Sequence, residues 1–269
     1  MPLLQDITLG QHVPTGSVVH ALDPRTKLLS ILVLMVLVLL AKGFLLYAFA
    51  AAFLAVVIRV SRLPWGLVLR NLRPFSWLIG LTILVHLFFT PGQPIPGFPI
   101  AGIAATREGL RQGLFFGSRL ALLIVTAALL TLTTAPIELT DALERLLKPL
   151  KRFGFPAHEL AMMMVIALRF IPILMEEADR LRKAQWARGA SFSGGIVRKV
   201  KSLIPLLVPL FLSAFRKADQ LAIAMESRCY RGGEGRTTFR PLAFRARDGC
   251  AAAILLATSA FGLTLQWLR

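Results

Sequence analysis

Long apolar segments, separated by basic or uncharged stretches, most constrain how this 269-residue chain can fold. The first segment, residues 28–58, is almost wholly apolar and is interrupted at Lys42-Gly43. As one helix it would be about 46 Å long, well beyond the roughly 30 Å hydrocarbon core of a bilayer. The sequence therefore predicts two short membrane helices joined by a tight turn at Lys42-Gly43. No small-residue cleavage site follows this segment, so we expect it to be an uncleaved membrane segment rather than a signal peptide.

Three further segments have the length and composition of membrane spans. They run from Phe75 to Phe89, from about Gly113 to Leu132, and from Cys250 to Leu268. Trp267 lies at the end of the last segment, where tryptophan is enriched at membrane interfaces. The sequence thus predicts an all-α integral membrane protein with about five transmembrane helices.

The composition supports this class. The chain is 56% hydrophobic with a mean hydropathy of +0.68, and only 17% of its residues are charged, a combination that soluble domains seldom show. A net charge of +17 could serve nucleic-acid binding. Apolar runs separate the basic residues, however, and no zinc-finger or RNA-recognition signature occurs, so we expect no nucleic-acid partner. The two cysteines, Cys229 and Cys250, imply no disulfide framework.

The distribution of positive charge predicts the orientation of the spans. Arg25 and Lys27 precede the first span, and the Arg59–Arg73 loop carries no acidic residue. The loop at residues 91–106, by contrast, carries no charge at all. We therefore place the N-terminus and the Arg59–Arg73 loop in the cytoplasm and the uncharged loop outside.

A basic region, residues 138–247, separates the fourth span from the last. It contains 20 Lys and Arg against 10 Asp and Glu, and so supplies +10 of the net charge of +17. Basic residues flank its two apolar islands, Leu160–Met175 and Leu203–Phe215, so we expect these to lie against protein or the membrane interface. The alternative is a seven-span layout, because the islands approach spanning length. The predicted division is a membrane domain at 1–134, a cytoplasmic layer of long amphipathic coupling helices at 135–247 and a C-terminal span at 248–269.

A forty-residue repeat lies inside the basic region. Ala178–Arg188 and Ala218–Arg228 share the pattern Ala-Asp-x-Leu-x-x-Ala-x-x-x-Arg. On a helix the leucine, the second alanine and the arginine fall on one stripe, and glycines typical of helix ends follow within a few residues. Each arginine is therefore predicted to close an apolar face at a helix C-terminus. The alternative is a basic helix attracted to the lipid bilayer, but lipid attraction needs charge and not register.

These residues resemble a known family. Two Arg-centred triplets look like the paired Ala-Arg-Gly motifs of the transmembrane (T) component of energy-coupling factor (ECF) transporters, the EcfT/CbiQ-type family. The segments ITLGQHVPTGSVVHALDPRTKL, ALERLLKPLKRFGFP and LRFIPILMEE resemble other parts of that family, and the first of them resembles the T component shared among several substrate-binding partners. The triplets are Ala187, Arg188 and Gly189, and in looser copy Ser227, Arg228 and Cys229.

The resemblance implies partners and a mechanism. In this family two cytoplasmic ATPase subunits, A and A′, bind the coupling helices, and a small membrane S component captures a vitamin or a transition-metal ion. It implies that Arg188 and Arg228 enter grooves on the two ATPases and that the chain transmits nucleotide-driven movement to the S component. It also implies a non-catalytic subunit of a prokaryotic plasma membrane, without a cofactor of its own, whose partners bind ATP. Ser227 and Cys229 depart from the motif, whereas Arg228 is retained.

A ladder of small residues enters the fourth span at Gly109, Gly113 and Gly117. Such a small-xxx-small pattern permits close approach of another helix. We expect internal packing at this ladder, and contact with an S component is the alternative.

Arg169 lies within the first apolar island and needs a carboxylate partner if it is buried there. Glu176 and Glu177 follow seven and eight residues later, on the same side of a helix. The sequence predicts that one of them pairs with Arg169 and holds the helical layer together.

A different class of function would be a self-contained secondary transporter or channel. That function needs polar or ionisable residues near the bilayer midplane, and the predicted spans have almost none. A membrane-embedded enzyme is disfavoured because no catalytic constellation and no G-x-x-x-x-G-K-[ST] phosphate loop occurs in the sequence.

Overall fold

The structure, a computed structural model, describes residue 13 and residues 15–100, 103–189, 195–233 and 243–267. Across these residues the chain is an all-α membrane protein, as the sequence predicts, with one short β-hairpin. Its helices are α1 Pro24–Leu40, α2 Phe44–Val60, α3 Trp65–Leu72, α4 Ser76–Phe89, α5 Arg107–Thr133, α6 Pro136–Leu147, α7 Ala157–Ala187, α8 Ile196–Glu226 and α9 Ala246–Trp267, with 3₁₀ turns at Arg73–Phe75 and Lys148–Phe153.

The first apolar segment folds as two helices, which confirms the predicted break at Lys42-Gly43. Helix α1 ends at Leu40 and α2 begins at Phe44. The Asp23 carboxylate caps α1 by accepting a hydrogen bond from the Arg25 N–H, and Pro24 occupies the first turn, where a missing N–H costs nothing. Each helix has 17 residues and is about 25 Å long, so the pair fits a bilayer that one continuous helix would overrun.

Three stretches of helix in the described residues are long and apolar enough to cross a membrane. They are Trp65–Phe89, which combines α3 and α4, Arg107–Thr133, which is α5, and Ala157–Ala187, which is α7. Helix α7 contains the first apolar island, which we predicted to lie against protein or the interface. Length and composition alone do not separate a spanning helix from one covered by protein, so the seven-span layout stays a competing arrangement.

The uncharged loop contains a hairpin that the sequence analysis does not predict. Strand β1, Pro94–Ile100, pairs antiparallel with β2, Ile103–Thr106, with an irregular register between Pro94 and Pro99. Proline lacks an N–H and argues against a central strand. A two-stranded hairpin has only edge strands, and therefore tolerates the prolines.

The described residues fall into two compact units. One unit lies within residues 143–240 and contains α7 and α8. The other lies within residues 10–142 and 241–269 and contains α1 to α5 together with α9. The boundary between the two units falls inside α6.

The core of the larger unit lies among α1, α2, α5 and α9. Leu54 and Leu132 are almost fully buried there, and a second buried cluster surrounds the turn between α1 and α2. Asp23 and Lys27 tie the ends of several helices together. Lys27, only 4% exposed, donates to the carbonyl oxygens of His20 and Thr133, and the Asp248 carboxylate accepts from the Asp23 N–H at 2.7 Å. These bonds fix the start of α1 to the end of α5 and the start of α9.

The glycine ladder lies at the contact between α4 and α5. Gly109, Gly113 and Gly117 are all buried. A Cβ atom at Gly113 would lie 2.9 Å from the backbone oxygen of Ile83 on α4, and one at Gly109 would collide with the backbone oxygen of His86. Helix α4 therefore occupies the face that the ladder opens.

Candidate functional site

Helices α7 and α8 form an antiparallel pair of equal length. Each contains 31 residues, and the two helices pack against each other. Lys217 Nζ lies 3.7 Å from the Glu177 carboxylate, and further along the chain the Tyr230 hydroxyl donates to Met162 Sδ at 2.9 Å. As the chain proceeds along α8, its residues contact progressively earlier residues of α7. Arg188 and Arg228, which follow the C-terminal ends of the two helices, consequently lie at opposite ends of the helix pair.

The two arginine motifs end their helices with the same backbone hydrogen bonds. The N–H of Arg188 and the N–H of Arg228 each donate to the carbonyl oxygen three residues earlier, both at 3.1 Å. The N–H groups of Gly189 and Cys229 do the same, both at 2.9 Å. The repeat in the sequence is therefore a repeat in three dimensions.

The residue after each arginine has a left-handed backbone. Gly189 has φ +86° and Cys229 has φ +54°. This conformation is easy for glycine and costs a residue with a Cβ atom roughly 1 kcal/mol. At the second motif the Tyr230 N–H also donates to the Met225 oxygen, which completes a Schellman-type helix end. Cys229 thus departs from the motif in chemistry and keeps its geometry; the chain beyond the first motif, residues 190–194, lies outside the described residues.

Both motif arginines are exposed and available to a partner. In the part of the chain that the structure describes, the side chains of Arg188 and Arg228 make no hydrogen bond or ion pair. The last turns of the two helices also expose large apolar side chains, Trp186 at 73% and Ile223 at 66%.

The distance between the two arginines follows from the antiparallel pairing. Met162, which contacts the chain just after Arg228, precedes Arg188 by 26 residues in the same helix. At 1.5 Å per residue the two arginines are roughly 35–40 Å apart along the pair. One standard interface covers about 800 Å² per partner, a patch roughly 30 Å across, so each arginine can serve a separate interface.

The expected partners of Arg169 are paired with other cations. Glu176 lies 3.9 Å from Arg180 on the next turn, and Glu177 lies 3.7 Å from Lys217 on α8. Arg169 is exposed and forms no ion pair within the described residues. Two helical turns, about 11 Å, separate Arg169 from both glutamates, and nearer cations occupy them. Glu177 still holds the helical layer together, but through Lys217.

One cation within a span, Arg119 of α5, is not among the site residues predicted from the sequence. Its Nε donates to the Tyr47 hydroxyl at 2.6 Å and its Nη2 donates to the Ala41 carbonyl at 2.9 Å. The guanidinium carbon lies 5.3 Å from the ring centres of both Phe115 and Phe116. Ala41 follows the last residue of α1, where carbonyl groups lack partners within the helix. Arg119 therefore joins α1, α2 and α5, and the arginine beside two phenylalanines was the signal in the sequence.

Among the described residues, no group of three or more His, Cys, Asp or Glu side chains is placed to hold a metal ion. The motif arginines are the exposed residues with binding chemistry, and they lie at opposite ends of the helix pair. Exposed apolar side chains also form a stripe along α8, and within the described residues no helix covers it: Ile204, Val208, Phe211, Leu212 and Phe215.

Comparison with known proteins identifies the family of the chain. The chain matches the family CbiQ, described as cobalt transport protein, over residues 15–239. It is 48% identical over 266 residues to a protein of Acidaminococcus fermentans called energy-coupling factor transporter transmembrane protein EcfT, covering 98% of both chains. Proteins with the same name from Thermosediminibacter oceani and Bacillus subtilis are 51% and 45% identical, covering 98% and 96% of this chain and 100% and 97% of theirs.

Proposed function

This chain belongs to the EcfT/CbiQ family of transmembrane components of energy-coupling factor transporters, and from that premise we propose that it is the membrane scaffold of an ATP-driven importer. It couples ATP hydrolysis by two cytoplasmic ATPase subunits to a substrate-binding S component that takes up a vitamin or a transition-metal ion. The observation that carries this proposal is the pair of matching helix ends that expose Arg188 and Arg228.

The separation of the two arginines supports two ATPases rather than one. A single partner would have to extend over roughly 35–40 Å to contact both motifs, whereas two partners of ordinary interface size each contact one. The forty-residue repeat then has a direct explanation. Two similar ATPase subunits, A and A′, recognise two similar helix ends.

The chemistry of each helix end suits a polar groove. A guanidinium group presents several N–H donors in a planar fork and binds carboxylate or carbonyl oxygens in two parallel bonds. It also lies beside the C-terminal carbonyl groups of its own helix, which favour a cation there. The last turns of the same helices also expose the apolar side chains of Trp186 and Ile223. We infer that each arginine is the buried anchor of one ATPase interface.

The exposed apolar stripe of α8 supports contact with the S component. Phe211, Leu212 and Phe215 are each more than half exposed in the isolated chain. A membrane protein partner with a complementary apolar surface would cover them. Movement of α8 driven from the Arg228 end then reaches the S component directly. The chain itself supplies no cofactor and no catalytic group in this scheme, because ATP binds to the partners.

The proposed function is tested by co-purification of the ATPases with arginine variants. Removing one partner of a buried, hydrogen-bonded charge pair costs about 2–5 kcal/mol. Arg188→Ala and Arg228→Ala should each release one ATPase subunit and lower uptake, and the double variant should lose both subunits. Arg216→Ala is the matched control, because Arg216 is an exposed arginine of α8 outside the motif. If all three single variants retain both ATPases, the repeat is only a basic surface and the proposal is wrong.

A further inference from the structure

The chain that follows Arg228 folds back onto the beginning of α7. The Tyr230 hydroxyl donates to Met162 Sδ at 2.9 Å. Gly233 lies directly against the His158 side chain, where an added Cβ atom would be 2.6 Å from His158 Cδ2 and 2.7 Å from Cγ. Both contacts occur within five residues of Arg228, so the segment that carries this arginine is held by tertiary contacts as well as by its own helix.

His158 is itself fixed in orientation. Its Nδ1 lies 2.8 Å from the Glu144 carboxylate oxygen near the end of α6. A carboxylate only accepts hydrogen bonds, so Nδ1 carries the proton and the ring cannot turn over without losing this bond. The ring therefore has a fixed orientation, and Gly233 packs against it because glycine has no side chain.

The described residues around the other motif provide no equivalent contact. Helix α7 ends beside Trp186, which is 73% exposed, and Gly189 is so open that an added Cβ atom would meet nothing within 4 Å. Gly233, three residues after Tyr230, is instead crowded by the His158 side chain. The two helix ends thus share their hydrogen-bond pattern but differ in what surrounds them.

We propose that His158, Tyr230 and Gly233 form a brace that positions Arg228, with Glu144 fixing the ring of His158. The term brace denotes these three residues, and His158 acts as a positioning residue that does not itself contact the ATPase. The effect of the brace on ATPase binding rests on the proposed docking of Arg228. The immobility of residues 228–233 does not depend on that docking. The brace predicts that changes at His158 or Gly233 loosen the second motif and leave the first unaffected.

The immobility is tested with a nitroxide attached to the native Cys229, which is exposed, after Cys250 is replaced by alanine. We expect Gly233→Ala, which forces a methyl group into the ring, and His158→Ala, which removes the ring, both to give a more mobile spectrum. Gly195→Ala is the matched control, since a Cβ atom there meets nothing within 4 Å, and it should leave the spectrum unchanged. Spectra of Gly233→Ala and His158→Ala that equal the wild type would overturn the brace.

A double variant distinguishes a specific contact from general damage. In the double variant Gly233→Ala with His158→Ala, the new methyl group no longer meets a ring. The increase in nitroxide mobility should therefore be smaller than the sum of the increases in the two single variants. Strictly additive effects would show that the two residues do not act on each other, which contradicts the brace.

ATPase binding by the assembled complex then links the brace to transport. We expect Gly233→Ala to weaken the subunit bound at Arg228 by about fivefold while the subunit at Arg188 keeps its affinity. Loss of both subunits to the same degree would contradict a brace specific to Arg228. Failure of the proposed function would give a different result. The wild-type chain would then bind no ATPase, while the nitroxide spectra would still show the effect of the brace on mobility.

Discussion

The ends of α7 and α8 reach the same backbone geometry with different residues. At the first motif a glycine adopts the left-handed conformation after Arg188, and at the second a cysteine adopts it after Arg228. The two hydrogen bonds that both ends share nevertheless have the same lengths, 3.1 and 2.9 Å. The comparison teaches that the helix-ending bonds, and not the glycine, determine this geometry. Glycine only makes the conformation less costly.

The largest expected effect concerns the side of the membrane on which the two motifs lie. In the five-span layout both motifs are cytoplasmic, whereas in the seven-span layout α7 crosses the bilayer and the Arg188 end faces outward. A cysteine at Gly195, close to the first motif in sequence, and the native Cys229 should both resist a membrane-impermeant thiol reagent applied to intact cells. Labelling of Gly195→Cys from outside would mean that no cytoplasmic ATPase can bind there.

A control variant shows that the reagent reaches the outer surface. Gln93 is exposed at the start of the uncharged loop, so Gln93→Cys should be labelled from outside. Cys250 is replaced by alanine in every variant, and Cys229 as well in Gly195→Cys and Gln93→Cys, so that each signal has one source. If Gln93→Cys is protected and Gly195→Cys is labelled, the predicted orientation is inverted.

The next prediction concerns whether ATPase binding at each motif requires a guanidinium group or only a positive charge. Lysine keeps the charge but cannot make two parallel hydrogen bonds. We expect Arg188→Lys and Arg228→Lys each to weaken ATPase binding about tenfold, less than alanine does, because a charge-assisted bond is worth roughly 1.5–3 kcal/mol. Titration of purified ATPase onto the chain in nanodiscs measures this loss. Lysine variants that bind like wild type would show that the grooves recognise only charge.

A smaller effect is expected where glycine is replaced at the first motif. An alanine at position 189 must take a left-handed backbone, which costs about 1 kcal/mol and should speed amide hydrogen exchange in the last turn of α7 about fivefold. Among the described residues the Cβ atom meets no group within 4 Å, so backbone strain is the expected cause. Gly195→Ala, which has φ −62°, should leave exchange unchanged. Equal exchange in Gly189→Ala and wild type would mean that the turn is not left-handed.

The smallest effect is the reverse substitution at the second motif. Cys229→Gly removes a left-handed residue with a Cβ atom, but glycine also gains entropy in the unfolded chain, so we expect a net stabilisation of only about 0.5 kcal/mol. Slower hydrogen exchange in the last turn of α8 would detect it. Cys229→Ala keeps a Cβ atom in the same conformation and should exchange like wild type. Faster exchange in Cys229→Gly would show that the cysteine side chain stabilises this end.

The parts of the fold that depend on local sequence were predictable. The break at Lys42-Gly43, the spans that became α4, α5 and α9, and the class of the protein all follow from the length and spacing of apolar runs. The repeat also predicted that each motif arginine follows a helix C-terminus, because helix periodicity and the glycine after Arg188 are visible in the sequence. The roles of these arginines stay a prediction that the variants above test.

The tertiary structure decided what depends on pairing between distant residues. Glu177 pairs with Lys217 and not with Arg169, and Arg119 reaches Tyr47. In each case the alternatives in the sequence had similar local energies, and proximity within the folded chain chose among them. Apolar runs and periodicity therefore determined where the helices lie in the sequence, whereas packing alone determined that the two arginines point from opposite ends of an antiparallel pair.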